Sequence, residues 1–225
     1  HPLSTMSRVV RMAIYEKHLE VEEQVEPFWL KQDDLLVLNP AGDVPVLIEE
    51  DANVVSGGYV VIEYLEDEYP EVPLIGSTSN ARAEMRRLLD WFESKFDAEV
   101  TQFLAGEKLF KRLAHGEAPD SRAMRAGREN IHAHLEYIAW LTDRRRWLAG
   151  ETLTVADLAA GAHLSLIDYT ADVPWNQHPL AKEWYVRLKS RPCFRPLLAE
   201  CLPGINPAPI YADLDFYGCT KSSPV

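Results

Sequence analysis

Apolar residues from about residue 81 onward recur every three or four positions, which is the spacing of one face of a helix. The first long helix is predicted from Met85, Leu88, Leu89, Phe92 and Phe96, and the second from Met124, Ile131, Leu135, Ile138 and Leu141. A third helix should begin at Thr154. A fourth should carry Leu180, Trp184 and Leu188 and end before Pro192. Residues 81–202 are therefore predicted to form an all-helical domain.

The first 74 residues show a mixed pattern. Residues 8–17 form an apolar stripe after the hydroxyl residues of segment 4–7, which predicts a helix capped by a hydroxyl. Alternation predicts a short strand at 19–25, and apolar β-branched runs predict strands after Pro45 and at 54–55. A helix should follow at 58–69. This order is that of a thioredoxin-like domain, provided that a first strand lies upstream of residue 1.

Residues 73–80 are rich in turn formers and are predicted to link the two domains. Residues 203–225 form a Pro-rich tail in which segment 211–216 alternates apolar and acidic side chains. This segment is too polar for a core and too patterned for a plain linker. We therefore expect a contact element for a protein partner, although packing of the tail onto its own helical domain would also fit the pattern.

The net charge of -12, from 35 acidic and 23 basic side chains, makes nucleic acid and anionic lipid poor partners. Residues 144–146, three consecutive arginines, fit the end of a helix, where cations complement the dipole. The three cysteines form no spacing typical of a zinc site or a disulfide framework, so we expect a reducing cytoplasm and no metal. No apolar run has the ~20 residues needed to span a bilayer, so membrane insertion is not expected.

Four segments resemble the glutathione transferase superfamily, in order along most of the chain. Residues 2–11 are similar to the start of its first helix, and 39–47 to its segment with a cis proline, here Pro45. Residues 147–157 resemble a signature in which Thr154 and Asp157 form a capping box. Residues 179–194 resemble the last core helix. The resemblance implies the two-domain fold of that superfamily, with a thioredoxin-like domain followed by a helical bundle.

The resemblance also places a glutathione site. It implies that Ser4 activates the thiol and that Val44, before Pro45, offers its backbone to the cysteine part of glutathione. A hydroxyl at Ser4 is equally what a helix N-cap requires, so both roles stay open. The side chains that bind the γ-glutamyl group should stand at Gly57 and Gly58, where glycine supplies none. A bulge that moves Ser56 into register is the alternative.

Within the superfamily, the chain resembles a group of alphaproteobacterial cell-division proteins that bind the tubulin homologue FtsZ. The residues that carry this resemblance are the start at 1–4, the pair Gly57-Gly58 and the tail. It implies a non-catalytic, cytoplasmic homodimer without a cofactor, located at the division site, that binds FtsZ filaments and shapes them during constriction. The expected contact residues are Tyr211, Asp213, Leu214, Asp215, Phe216 and Trp29. The alternative is a cytosolic glutathione transferase that uses Ser4.

Overall fold

The computed structural model describes residues 1–214. Its helices are α1 (Thr5–Glu16), α2 (Asp33–Leu38), α3 (Gly58–Glu68), α4 (Ser79–Asp90), α5 (Lys111–His115), α6 (Ser121–Thr142), α7 (Val155–Asp168), α8 (Pro179–Lys189) and α9 (Arg195–Leu198). Its strands are β1 (Val46–Ile48) and β2 (Val54–Ser56). A π-helical stretch, Trp91–Phe110, joins α4 to α5 and is called the π segment below. Short 3-10 turns lie at Phe28–Leu30, Trp175–Gln177 and Pro192–Phe194.

The two strands form an antiparallel hairpin in regular register, with Val46 opposite Ser56 and Ile48 opposite Val54. Helices α1 and α3 pack together beside this hairpin. The strands after Pro45 and at 54–55 and the helix from Gly58 are therefore confirmed. The hydroxyl cap of α1 is also confirmed, because the Ser7 amide donates to Ser4 Oγ at 3.1 Å. The helix begins at Thr5, earlier than predicted.

The predicted strand at 19–25 is wrong. This segment has no regular secondary structure, and Val21 and Val25 are exposed. In the part of the chain that the structure describes, β1 pairs with β2 and no ladder reaches 19–25. Alternation alone cannot hold a strand, because its backbone groups need a neighbouring strand as a hydrogen-bond partner. The short helix α2 was not predicted.

The helical part is built around α7, whose residues are all buried. It packs against α1, α4, α8 and the π segment. The predicted capping box at its start is confirmed: Asp157 accepts from the Thr154 amide at 3.1 Å. The predicted faces of the two long helices are buried except for Met124, which is partly exposed. The first of these helices was predicted as continuous, but α4 ends at Asp90, and Phe92 and Phe96 lie in the π segment. Leu180 is also exposed, because it lies on the solvent side of α8.

In the described part of the chain, residues 1–214, no helix combines the length and the apolar character that crossing a membrane requires.

Candidate functional site

The amino end of α1 faces the loop before β1. The Val44-Pro45 peptide bond is cis, as the resemblance implies. Ser4 Oγ donates to the carbonyl oxygen of Val44 at 3.2 Å and accepts from the Ser7 amide. Its hydrogen is thus directed to a backbone oxygen and its lone pair caps the helix, so both hydrogen-bonding functions of the hydroxyl are engaged within the protein.

Gly57 and Gly58 lie at the start of α3, where the resemblance places the ligands of the γ-glutamyl group. Gly57 has φ +91°, a conformation that disfavours any residue with a side chain. A Cβ atom on Gly58 would lie 2.8 Å from Cβ of Met6. Ser56 ends β2 in regular register opposite Val46, so no bulge moves it into this position. The described residues therefore do not fit the γ-glutamyl end of glutathione.

A cavity of about 330 Å³ lies between the cis-proline loop, α1 and the π segment. The π segment supplies its longest wall, and the lining positions recur every four or five residues: Glu93, Asp97, Thr101, Gln102, Ala105, Gly106 and Phe110. This spacing is wider than that of an α-helix and follows from the i→i+5 bonding of a π-helix. Ser4, Met6 and Val44 line the opposite side.

The cavity is acidic. Asp43, Glu93 and Asp97 line it, and the lining residues in the described chain include no Lys, Arg or His. A glutathione thiolate carries negative charge and would be repelled here, whereas its stabilisation needs donors or cations.

A buried histidine lies behind the acidic wall. His163 Nδ1 is 2.8 Å from Thr101 Oγ1, and its Nε2 is 3.3 Å from Glu93 Oε1. His163 Nε2 and Glu93 Oε1 are both buried, and neither atom has a hydrogen bond within the described chain. The side chain of Glu93 is 9% exposed, and its Oε2 accepts from Thr5 Oγ1 at 3.4 Å.

Trp29 lies in an aromatic cluster beside the cavity. Its ring centroid is 4.8 Å from that of His1, 5.4 Å from Phe28 and 5.7 Å from Phe110. Phe28 and Phe110 line the cavity themselves. Trp29 is half-buried, so part of its ring is supported by the cluster and part is accessible, as a contact residue requires.

The prediction that Tyr211 contacts a protein partner is wrong. Tyr211 is fully buried, so it is unavailable to a partner in this fold. Its hydroxyl donates to the Leu197 carbonyl oxygen at 2.8 Å and accepts from Arg8 Nη1 at 3.3 Å. The expectation that the tail is too polar for a core fails at this residue, because α1 and α7 supply polar groups around the buried phenol. Arg8 Nη1 of α1, which donates to Tyr211, also donates to Ser165 Oγ of α7 at 2.9 Å.

Residues on both sides of Tyr211 are also bonded to α8. Lys189 Nζ donates to the carbonyl oxygens of Ile210 and Asp213 at 3.4 and 2.9 Å, which fastens this part of the tail to α8. Leu214 is exposed at the end of the described chain. Asp215 and Phe216, two further predicted contact residues, lie outside the described residues.

The described residues hold no group of three or more His, Cys, Asp or Glu side chains arranged for a metal ion.

Met6, Glu93 and Asp97 shape the cavity and were not predicted as site residues. Glu93 and Asp97 are four positions apart in a segment whose apolar residues follow the helical period, so on the sequence they resemble an ordinary solvated helix face. Their four-residue spacing, continued to Thr101, is the available signal. This spacing does not indicate that α1 and the cis-proline loop lie across the cavity from these residues.

The comparisons with known proteins cover both domains. The family model of the glutathione S-transferase N-terminal domain matches residues 3–68, and that of the C-terminal domain matches residues 113–192. FtsZ-localized protein A of Caulobacter vibrioides is 48% identical over 96% of each chain. The solved structure of FzlA from C. crescentus has a TM-score of 0.92 at 48% identity, covering 95% of this chain and 96% of that chain.

A crystal structure of a glutathione S-transferase from Rhodospirillum rubrum F11 is 55% identical with a TM-score of 0.94, covering 96% of this chain and 97% of that one. The matching models, the cis-proline loop and the capped helix α7 agree with one another. This chain belongs to the glutathione S-transferase family, with the two-domain fold of that family.

Proposed function

We propose that this protein is a non-catalytic member of the family that binds FtsZ filaments and regulates their curvature during constriction. The observation that carries the proposal is the 48% identity, over 96% of the chain, with a relative named for its localisation with FtsZ. By this proposal the protein acts in the cytoplasm at the division site.

The geometry of the former ligand site supports the non-catalytic part. Ser4 already donates to Val44, Met6 takes the space beside Gly58, and the cavity is lined by carboxylates. A charge-assisted hydrogen bond contributes about 1.5–3 kcal/mol, so the loss of the γ-glutamyl ligands weakens glutathione binding strongly. Calorimetry tests this point: glutathione binding in the micromolar range would support the alternative, a transferase that uses Ser4.

Two places on the chain are proposed as FtsZ contacts. One is the end of the tail, from Asp213 and Leu214 through Asp215 and Phe216. The other is Trp29, which contacts two residues that line the cavity. Apolar anchors beside acidic groups suit a partner with basic residues around apolar pockets. Tyr211 supports the tail from within the core rather than touching the partner.

Co-pelleting with nucleotide-assembled Caulobacter FtsZ tests these contacts. The full chain is compared with one that ends at Leu214, which keeps Tyr211 in place; ending at Leu202 would remove this core residue. Trp29→Ala tests the second contact. Leu214→Ala is matched by Leu180→Ala, because both leucines are about equally exposed, 39% and 41%.

We expect the full chain and Leu180→Ala to pellet with FtsZ, and the shortened chain, Leu214→Ala and Trp29→Ala to pellet less. Electron microscopy should show more strongly curved filaments with the full chain than with FtsZ alone. If the full chain stays in the supernatant, FtsZ binding is disproved. Equal pelleting of the shortened chain would reject the tail as a contact.

We also propose a homodimer. An exposed apolar surface on β2 and α3 consists of Val54, Tyr59 and Val60, whose exposed fractions are 39%, 46% and 57%. It borders a wide depression that also includes Glu63 and Asp67. Apolar surfaces of this kind, rimmed by charged residues, are typical of protein interfaces.

A further inference from the structure

The tail forms a turn against α8 just before the described chain ends. The Asp213 amide donates to the Ile210 carbonyl oxygen at 3.2 Å, which closes a turn over residues 210–213. Lys189 Nζ donates to the carbonyl oxygens at both ends of this turn, Ile210 at 3.4 Å and Asp213 at 2.9 Å. We propose that Lys189 is a positioning residue for partner binding, because by holding this turn it fixes where Asp213 and Leu214 leave the helical domain.

The ammonium group of Lys189 is itself fixed by the helical domain. Its third acceptor is Asp168 Oδ2 at 3.4 Å, and the two side chains are 0% and 1% exposed. The three acceptors match the three N–H donors of an ammonium group. Asp168 is held in turn by Trp175, whose Nε1 donates to Asp168 Oδ1 at 2.9 Å. The charge that holds the tail therefore has a defined place inside the domain.

Two tyrosine rings flank the same ammonium group. Lys189 Nζ lies 5.8 Å from the ring centroid of Tyr185 on α8 and 5.9 Å from that of Tyr211 in the tail. A cation is attracted to the face of an aromatic ring, and more strongly where water is excluded. Residues 210–213 thus contact Lys189 through two carbonyl oxygens and one ring, so a single side chain contacts the whole turn.

The turn has little other support after Tyr211. Ala212 and Leu214 are exposed, and Asp213 is half-buried, so apolar burial does not hold these residues in place. One internal hydrogen bond offsets only part of the conformational entropy that an ordered turn loses. Without Lys189, Tyr211 would keep its place in the core, but the residues that follow it would lose their attachment to α8.

The order of this turn bears on binding. A segment that is ordered before binding loses less conformational entropy when the complex forms. Lys189 is 0% exposed, so its side chain lies out of reach of a partner. Its replacement should weaken FtsZ binding without removing any atom from the proposed contact. The inference rests on the proposed FtsZ contact of the tail and names the residue that holds that contact in place.

The other domain contains a matched lysine. Lys17 Nζ pairs with Glu66 Oε1 at 2.8 Å and donates to the carbonyl oxygens of Tyr69 and Val72 at 2.8 and 2.9 Å. The side chains of Lys17 and Glu66 are 2% and 5% exposed. This lysine also holds a loop by two carbonyl oxygens, but the loop lies between α3 and α4. Lys17→Met therefore loses the same kinds of contacts as Lys189→Met, away from the tail.

Two measurements on the full chain test the proposal. Hydrogen exchange followed by mass spectrometry reports the order of the tail, since the Tyr211 and Asp213 amides donate to the carbonyl oxygens of residues 208 and 210 at 2.8 and 3.2 Å. Co-pelleting at increasing concentrations of nucleotide-assembled Caulobacter FtsZ reports the affinity. Thermal melting checks that every variant is folded.

Each lysine is replaced by methionine alone and together with its carboxylate, because a single substitution leaves a buried carboxylate without its cation. The double variants are Lys189→Met with Asp168→Asn, and Lys17→Met with Glu66→Gln. We expect both Lys189 variants to speed the exchange of the tail amides about tenfold or more and to weaken FtsZ binding about threefold to tenfold. Both Lys17 variants should leave the tail amides and FtsZ binding unchanged.

The proposal is overturned if the tail amides of the folded parent exchange as fast as those of an unstructured peptide, or if the folded Lys189 variants keep the parent's exchange. It is equally overturned if Lys17→Met weakens FtsZ binding as much as Lys189→Met does. When the parent pellets with FtsZ and the Lys189 variants pellet equally well, only the positioning role fails. When the parent itself does not pellet, the proposed function fails and the positioning role fails with it.

Discussion

Met6 on α1 takes the space into which a side chain at Gly58 would project, since a Cβ atom there would lie 2.8 Å from Cβ of Met6. The glycine is therefore required by packing between α1 and α3. The same contact leaves no room for the ligand side chain that the family resemblance implies at this position. Close packing of the two helices and glutathione recognition exclude each other here.

Gly58→Ser should destabilise the protein by about 1–3 kcal/mol, because the added atoms overpack the contact between α1 and α3. Urea unfolding measures the change. The double variant with Met6→Ala should recover part of the loss, since the smaller side chain makes room. A Gly58→Ser protein as stable as the parent would contradict the close contact, and glutathione binding to this variant would contradict the exclusion of a ligand side chain by Met6.

Tyr211 should stabilise the whole molecule although it lies in the tail. Tyr211→Ala leaves a large cavity and should cost about 3–5 kcal/mol, whereas Tyr211→Phe removes the hydroxyl bonds to Leu197 and Arg8 and should cost about 1–2 kcal/mol. Leu214→Ala, which changes an exposed residue, should stay within about 0.5 kcal/mol. Denaturant titration compares the three variants, and equal stability of Tyr211→Ala and the parent would disprove the anchoring role.

The cysteines should differ in reactivity. Burial raises the pKa of the Cys193 thiol to about 12, so little thiolate is present at pH 8, while Cys201 is exposed. When the native proteins are titrated with a thiol-reactive dye, Cys201→Ser should show one rapidly reacting thiol fewer than the parent. Cys193→Ser should show the same number as the parent. Both variants should lose one group after denaturation. Rapid reaction of Cys193 in the native state would contradict its burial.

Asp157 should make stability depend on pH. Burial raises its pKa to about 6 from an ordinary value of 3.8, although the Leu148 amide and Trp184 Nε1 donate to it at 2.8 and 3.0 Å. The folded state thus holds the proton more tightly than the unfolded state. Its contribution to stability is fully present below about pH 4 and is lost as the pH rises through 6.

In Asp157→Asn this contribution is absent. The free energy of unfolding of the parent minus that of the variant should therefore fall by about 2–3 kcal/mol between pH 4 and pH 7. Chemical denaturation of both proteins at each pH measures the two free energies of unfolding. The titration of the other carboxylates affects both proteins equally and therefore cancels in the difference. A constant difference would show that Asp157 is ionised throughout.

The proposed homodimer predicts that Val60→Asp yields a monomer, because a charge would be buried in an apolar interface. Val37→Asp is the matched control: Val37 is 82% exposed on α2, and the same substitution there should leave the dimer intact. Analytical ultracentrifugation distinguishes the two outcomes. A monomeric parent protein, or a dimeric Val60→Asp variant, would reject this interface.

Most of the fold could be predicted from the chain because its signals are local. The 3.6-residue spacing marked the long helices, and Thr154 and Asp157 marked the start of α7 through a contact only three residues apart. Pro45 and the apolar run after it marked β1. The strand predicted at 19–25 failed for the opposite reason, because a strand depends on a partner elsewhere in the sequence.

The candidate site could be predicted only in its glycines, its first hydroxyl and its cis-proline segment. Ser4, Val44, Pro45, Gly57 and Gly58 were located from a resemblance in short motifs. The acidic wall was missed because Glu93 and Asp97 acquire their role only when the π segment faces the cis-proline loop.

The sequence by itself determined the family, the helical period of the second domain and the absence of ligand side chains at Gly57 and Gly58, since each depends on residues close together in the chain. The tertiary structure decided the burial of Tyr211, the packing of Met6 on Gly58 and the acidic character of the cavity. Arg8 lies 203 positions before Tyr211, and only folding brings a guanidinium to that phenol. Whether a side chain forms the core, a contact or a site depends on such distant neighbours, because burial and hydrogen bonding are properties of the packed chain.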